Sequence, residues 1–412
     1  MKIGQFAEQA GISIFTVRYY IKEGLLLPRH AGSQLNFSQK DREDMAFILR
    51  MKEMHFSIGE IRSLLYLKRM TNQAEPSIIN QCLTILKTKE RQLEQEQKQL
   101  AWIIQTLKQE IQSVQARAQR ADQPVKGVPL RAISLLHCPH CHKQLNITDA
   151  SITASSLKTG TLSCDCGYKA EIHNGIIATP NIYTGSHDTP DLELKLYHET
   201  GAEWDTNAPR CGEYMLDAIH KLDLQDKVVF EANINGFFFT FNFMEELPKN
   251  CFYIIVDKYE CVLARYKALM DSLYPDVEVL YIADAGEALP LADHCIDLYV
   301  ALFGEMEYEY YHKQTQLHDI VRQLAPCARI IGSFQSLPKD SKSRKNLQIK
   351  YPEGSPRMVN MQYLRDEYAK CSYELTPTKL GVIYKTLKHH MYTEHVDGEP
   401  ITLYGYTAAQ KT

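Results

Sequence analysis

The sequence predicts a multidomain chain: an all-α winged helix-turn-helix with a long coiled-coil helix, a small β ribbon, and an α/β doubly wound C-terminal domain. Three observations predict it. Apolar residues recur at helical spacing over the first seventy positions, an apolar residue returns every seventh position from Ile79 to Val114, and apolar strands alternate with helical stretches from about Asp191 onward. The 412 residues suffice for two or three cores. No basic-then-apolar leader and no apolar run near the roughly twenty residues of a membrane span is read, so no membrane partner is expected and the cytoplasm is the expected compartment.

Ile3, Phe6, Ala7 and Ala10 share one face of a first helix that Gly11 stops in a left-handed turn. Ser13 is placed to cap a second helix, with Ile14, Val17 and Ile21 inward and Thr16, Arg18 and Tyr19 outward. This pair reads as a helix-turn-helix. Residues Arg29 to Ser38 suit a two-stranded hairpin, the wing. A third helix runs from Ser38 to Met54, with Met45, Ile48, Leu49 and Met51 inward, and Ser57 with Glu60 forms the spacing of a capping box that opens a fourth helix through Leu67. Residues 1–70 hold eleven Lys or Arg and seven Asp or Glu, a balance of +4; the whole chain carries −4, so the remainder carries −8. Basic density therefore sits where phosphate attraction needs it, although an ordinary solvated helical face gives the same count.

Ile3-Gly4, Val17-Arg18-Tyr19-Tyr20, Gly24-Leu25-Leu26, Pro28-Arg29, Asn36-Phe37-Ser38 and Phe56-Ser57-Ile58-Gly59-Glu60-Ile61, in this order, resemble the N-terminal domain of the MerR family of bacterial transcription regulators. The resemblance covers residues 1–70. It implies promoter DNA as a partner, with Thr16, Arg18, Tyr19 and Tyr20 at the groove and backbone and Lys22 and Arg29 at phosphates. It also implies RNA polymerase as a partner, because dimers of this type distort a promoter spacer so that polymerase can engage both elements. Two positions depart from the family pattern: Ile21 replaces the usual Glu, and Gln34-Leu35 stand where the wing usually carries Tyr-Arg, removing one phosphate contact.

From Ser77 to Gln119 there is no Gly or Pro, and Ile79, Leu86, Leu93, Leu100, Leu107 and Val114 keep a strict heptad. The companion series Leu83, Glu90, Gln97, Ile104, Ile111 and Ala118 leaves the seam apolar at both ends and polar in the middle. A helix over 77–119 would be about 65 Å long, and a seventy-residue domain cannot bury its stripe. A homodimer through this coiled coil is the expectation; packing within one chain is the alternative. Residues 120–131 have the Pro, Gly and charge of a linker.

Cys138-Pro139-His140-Cys141 and Cys164-Asp165-Cys166 present four thiols in two short pairs, the number and type that hold a structural Zn²⁺ in a tetrahedron. The second pair has a one-residue gap instead of the usual two, and His140, His142 and His173 stand nearby as possible substitutes. With four cysteines and no open position a catalytic zinc is disfavoured. A ribbon over 132–180 follows, whose ending Ile172-His173-Asn174-Gly175-Ile176-Ile177 resembles the zinc ribbon preceding the catalytic domain of some bacterial methyltransferases. The other cysteines, among them Cys251, Cys261, Cys295 and Cys327 in or beside apolar segments, read as reduced thiols.

Over 190–412, runs ending at Glu231, Asp257, Ile282, Leu302 and Ser333 read as buried parallel strands, and Ile401 to Thr407 as an added antiparallel edge. A carboxylate at Asp257 can accept hydrogen bonds from ribose hydroxyls, and Asp284 can hold an adenine amino group, though acids that merely end strands and cap helices look the same. With Glu231 ending the first strand and Leu289 to Asp293 leading into the fourth, the region resembles class I S-adenosylmethionine-dependent methyltransferases. That resemblance makes S-adenosylmethionine a possible cofactor, held by Glu231, Asn233, Asn235, Gly236, Asp257 and Asp284. The loop after Glu231 has one glycine, two asparagines and a bulky run where the family has a glycine-rich turn; Asn233 and Asn235 are placed to preserve it because Asn tolerates positive φ. The fourth strand lacks an Asn-Pro-Pro-Tyr type of motif. Lys339 to Lys350 reads as a basic solvated loop. Two functions follow from different classes: a dimeric DNA-binding regulator whose methyltransferase-like domain is an effector sensor or scaffold, or an active methyltransferase with a DNA-binding N-terminal unit.

Overall fold

The computed structural model describes residues 1–31, 34–71, 75–118, 126–153, 155–185, 188–197, 200–286, 288–386 and 393–411. Contacts divide the chain into two compact units, Met1–Arg117 and Ala118–Thr412.

The first unit runs α1 (Ile3–Gln9), α2 (Ile14–Lys22), β1 (Arg29–Ala31), β2 (Gln34–Asn36), α3 (Gln39–Glu53), α4 (Ile58–Met70) and α5 (Pro76–Ala118). Gly11 and Gly24 close α1 and α2 with positive φ of 66° and 73°, the conformation that glycine adopts without strain. Ser13 accepts a hydrogen bond from the Thr16 N–H, and Ser38–Asp41 and Ser57–Glu60 both form reciprocal capping boxes. The strands β1 and β2 pair antiparallel as the wing. The core gathers Phe6, Val17, Tyr20, Leu25, Leu26, Met45, Ile48 and Leu65, with Phe6 stacked on Phe37 at 4.1 Å. One inward assignment is corrected: Ile14 is 44% exposed, whereas Tyr20 is 7% exposed. Ile14 and Tyr20 stand about 120° apart around the helix, so a buried face centred between Val17 and Tyr20 leaves Ile14 at its margin.

Helix α5 is unbroken for 43 residues. Its N-terminal end is held by Lys89, whose ammonium reaches Glu60 at 3.7 Å and lies over the Phe56 ring. Further along, Leu100, Ile104, Leu107, Ile111 and Val114 are all exposed.

The second unit runs β3 (Val128–Pro129), β4 (Asn146–Thr153), β5 (Ser156–Ser163), β6 (Lys169–His173), β7 (Ile176–Ala178), α6 (Ala202–Asn207), α7 (Pro209–Ile219), β8 (Val228–Ala232), α8 (Phe239–Asn242), β9 (Phe252–Asp257), α9 (Glu260–Leu273), β10 (Glu278–Ala283), β11 (Ile296–Leu302), α10 (Gly304–Glu309), α11 (Gln316–Ile320), β12 (Leu324–Ser336), α12 (Lys342–Lys350), α13 (Met361–Lys370), β13 (Tyr373–Ile383) and β14 (Ile401–Gln410). Among the described residues these strands make one sheet in the order β13-β14-β12-β11-β8-β9-β10-β7-β6-β5-β3, with β4 beside β5. The strands β12, β11, β8, β9 and β10 are mutually parallel, and β8 and β9 are buried nearly throughout and apolar up to the acids at their carboxyl ends, as a sheet covered by helices on each side requires. The doubly wound α/β domain is thus present, with a mixed sheet of parallel central strands extended by antiparallel ones.

Three details differ from the expectation. The C-terminal strand β14 is not an edge: it lies between β12 and β13, antiparallel to both. Lys339 to Lys350 is not a loop throughout, because Ser341 accepts a hydrogen bond from the Arg344 N–H and starts α12, whose Ser343 and Arg344 are buried. The ribbon joins the large sheet, since β7 pairs parallel with β10 through Ile176–Ala178. Of the linker 120–131, residues 120–125 lie outside the described residues, while Val128–Pro129 already pairs with Ser156–Leu157.

Candidate functional sites

On the first unit, α2 presents Arg18, Tyr19 and Lys22 to solvent, and Arg29 is exposed at the start of the wing. Thr16 is half-buried and shares a 2.8 Å hydrogen bond with the Ser13 hydroxyl, so its side chain is already part of the helix cap. Tyr20 packs inward with its ring 5.9 Å from that of Tyr19, and burial raises its phenol above the ordinary range. The basic count is thereby divided. Arg69 bridges the Asp44 carboxylate at 2.7 Å and the Leu25 carbonyl at 2.6 Å, and Arg62 pairs with Glu23 at 2.6 Å. Those guanidiniums tie α4 to the end of α2 and leave Arg18, Lys22 and Arg29 to face outward. Phe15, exposed beside Thr16, was not singled out by the sequence; a large apolar side chain at the start of a recognition helix is the signal that marks it.

In the ribbon, the thiol sulfurs of Cys138, Cys141, Cys164 and Cys166 all lie within 4.8 Å of one another. The closest pairs, Cys138 with Cys166 and Cys141 with Cys164, are 3.3 Å apart. A tetrahedron of metal–sulfur bonds of about 2.3 Å has edges of about 3.8 Å, so the four fit around one soft cation. Each pair sits on a turn closed by a left-handed residue, His142 with φ 62° and Gly167 with φ 97°, and the N–H of each donates to the carbonyl of the first cysteine of its pair. The one-residue gap of the second pair is thus accommodated by Gly167. The Lys143 N–H, and then the Cys164 thiol, pull the Cys141 thiol down to about 7, whereas Cys164, coupled to it, and the buried Cys138 are raised. All eleven cysteines are free. The histidines point elsewhere: His140 lies edge-on to Tyr168, His142 meets Arg322, and His173 faces Glu260. The cluster can hold a metal ion.

In the large sheet, the carboxyl ends of β8, β9 and β10 bring the predicted cofactor residues to one rim. Glu231 is buried, and its two oxygens accept from the N–H groups of Phe239 and Thr240 at 2.7 and 2.8 Å; burial pushes its carboxyl up to about 7. It caps α8. Asp257 is 1% exposed, with one oxygen on the Asn235 N–H and the other on the Tyr259 N–H, both at 2.9 Å; burial, opposed by the Lys258 charge, pushes it up to about 7. Asp284 accepts from the Thr179 hydroxyl at 2.6 Å, the Asn181 amide at 2.9 Å and the Gly286 N–H at 2.6 Å, and burial raises its carboxyl. Asn233 does take positive φ, 60°, and its amide donates to Gln316 at 2.6 Å and to the Gly304 carbonyl at 3.2 Å. Asn235 accepts from the Asp191 N–H at 2.9 Å and donates toward the Thr189 carbonyl at 3.3 Å. These residues therefore do not fit S-adenosylmethionine in this arrangement: the acids that would receive ribose and adenine are buried with their oxygens taken by the chain.

Beside that rim a cavity of about 480 Å³ opens, with Asn233, Asn235 and Gly236 on one wall. Its aromatic lining is Phe237, Phe303, Tyr310, Tyr311 and Tyr351. Helix α12, expected to be solvated, contributes Ser343, Leu347 and Lys350 to it. Three of its lining residues meet Lys258, whose ammonium lies 2.8 Å from Asp188, 3.0 Å from Glu307 and 3.7 Å from the centre of the Tyr311 ring. Burial pulls Lys258 down, but Glu307 and Asp188 outweigh it and hold the ammonium above its ordinary value. The size suits a small-molecule ligand.

Residues 1–68 match the family model described as MerR HTH family regulatory protein. The chain is 32% identical over 80 residues, 19% of its length, to the HTH-type transcriptional regulator ZntR homolog of Haemophilus influenzae, of which it covers 59%. It spans just over half the length of the curated relatives it matches. A solved MerR family regulator lacking the sensor domain and bound to promoter DNA, HiNmlR, is similar at 21% identity over 29% of this chain and 90% of that one, with a TM-score of 0.23. The C-terminal half is similar to a Haemonchus contortus N-methyltransferase solved with phosphomonomethylethanolamine and S-adenosylhomocysteine, at 13% identity over 48% of this chain and 52% of that one, with a TM-score of 0.35. The N-terminal domain is a MerR-type helix-turn-helix domain.

Proposed function

We propose that the chain is a transcriptional regulator that binds promoter DNA as a homodimer, with its methyltransferase-like domain acting as an effector sensor or scaffold. The observation that carries this reading is the MerR-type domain with Arg18, Tyr19, Lys22 and Arg29 outward. The supporting one is α5, whose heptad positions Leu100, Leu107 and Val114 are exposed on a single chain. An apolar seam of this length is buried by a second copy more cheaply than by water, and two reading helices favour a near-palindromic site. Arg18 works at the groove, Lys22 and Arg29 neutralise phosphates, and RNA polymerase is the partner that a reshaped promoter serves. The four cysteines take structural Zn²⁺, and the 480 Å³ cavity is where an effector would bias the dimer between two arrangements.

Selection of binders from a random duplex library by the full chain tests the reading. A near-palindromic consensus bound by a dimer is expected, with affinity falling steeply in salt. No enrichment over bulk duplex, or a monomer on DNA, sinks it. The other class, an S-adenosylmethionine-dependent methyltransferase, draws support from the sheet order but is opposed by the buried, engaged acids; methyl transfer from labelled cofactor to DNA or protein would establish it.

A further inference from the structure

We propose that the segment following β7 is an intramolecular occupant of the cofactor crevice, whose described stretches take up Asp284 and Asn235, two of the residues placed to receive an adenosine-type ligand. Two described stretches of that segment, Thr179–Gly185 and Asp188–Leu192, cross the carboxyl ends of three neighbouring strands and grip each one. At β10, Asp284 is engaged by the Thr179 hydroxyl and the Asn181 amide, and the Asn181 carbonyl accepts the Ala285 N–H at 2.9 Å. At β9, Asp188 receives Lys258 at 2.8 Å and the Tyr259 hydroxyl at 3.3 Å. At the loop after β8, Asn235 bonds Thr189 and Asp191. Between these grips the Tyr183 ring stands edge-on to Tyr259 at 6.0 Å and to Tyr311 at 5.1 Å. At the far end Arg265 donates to the Leu192 carbonyl at 2.6 Å.

The chemistry of these contacts is that of the ligand they displace. A carboxylate suited to an adenine amino group takes an Asn amide and a Thr hydroxyl, and an aromatic face takes Tyr183 where a planar base would stack. Open α/β sheets bind ligands at this rim, and the same rim here is crossed by Thr179, Asn181 and Asp191, which hydrogen-bond to it. S-adenosylmethionine or its demethylated product must therefore first displace the segment, which lowers apparent affinity by the fraction of chains that are open. The inference stands apart from the DNA-binding reading, whose failure in the duplex selection would leave it untouched.

Calorimetric titration of S-adenosylhomocysteine into the full chain, compared with Asn181→Ala/Tyr183→Ala, tests it. Both substitutions lie in the segment and leave Asn235, Asp257 and Asp284 intact. The wild-type chain is expected to bind weakly and the variant about 10- to 100-fold more tightly, the gain set by the closed fraction. Hydrogen exchange at the Ala285 and Asp191 amides, which bond the Asn181 carbonyl and the Asn235 side chain, should be slow in the wild type and fast in the variant. Micromolar binding by the wild type with those amides still protected overturns the proposal. So does a folded variant whose amides exchange fast while its crevice stays empty. Should the double variant fail to fold, the near-isosteric Asp188→Asn, which removes the charge that meets Lys258 and weakens the contacts with Tyr259 and Asn235, is read by the same two measurements with the same outcomes.

Discussion

At the scale of single residues, position alone did not reveal which polar groups are free. Arg18 and Arg69 are both basic and close to α2, yet Arg69 is consumed by Asp44 and the Leu25 carbonyl while Arg18 faces outward. Arg18→Ala should cost about 1–3 kcal/mol of operator affinity if the side chain reads a base, and should lower the salt slope by about one if it meets a phosphate; unchanged binding and slope would refute either role. Ser57→Ala removes one half of a capping box and should lower the stability of the first unit by about 1 kcal/mol without altering the α2 face, measured by denaturant midpoint. The buried carboxyls set a pH dependence. Glu231, Asp257 and Glu305 are each raised to about 7, with burial as the first cause. Near pH 4 and below, both folded and unfolded chains hold these protons; between about 4 and 7 only the folded chain does, so stability declines as pH climbs through that window and levels off above it. A thermal midpoint of the second unit that rises from pH 5 to pH 8 would contradict the assignment.

At the scale of elements, the heptads made α5 legible over its whole described length, because an uninterrupted 3.5-residue period needs no tertiary partner to be recognised. What the period leaves open is the partner. Leu107→Glu and Ile111→Glu place charges on a seam that is exposed in one chain and that the proposed homodimer would bury; they should leave the helix folded, convert that dimer to monomers in sedimentation, and abolish operator binding. A dimer that survives both changes would move the interface elsewhere. The strands β8, β9 and β11 were visible as apolar runs for the same reason that parallel strands are buried on both faces. Strand β13 was not, since Pro377, Lys379 and exposed polar positions break its pattern, as an edge strand permits. Helix α12 was also missed: its composition is basic, and only the Ser341 cap and the buried Ser343 and Arg344 distinguish it from a loop.

At the scale of the molecule, β7 pairing with β10 couples the four-cysteine ribbon to the large sheet. Metal analysis of the full chain should find one Zn²⁺, and a chelator should lower the thermal midpoint of the second unit, each kcal/mol lost moving it by about 2–4 °C; a metal-free protein with an unchanged midpoint would remove the structural role. The order of chemistry along the chain was determined by sequence alone: a DNA-reading helix before a wing, a heptad helix, two cysteine pairs, and acids ending apolar strands. Those signals are local, written in spacings of two, three, four and seven residues that survive without knowledge of distant neighbours. Tertiary structure alone decided which of these groups remain available. Asp257 and Asp284 stand at the predicted rim, but Asn235 and Asn181, 22 and 103 residues away in sequence, supply hydrogen bonds to them that no spacing reveals, because satisfying a buried carboxylate depends on what the fold brings against it.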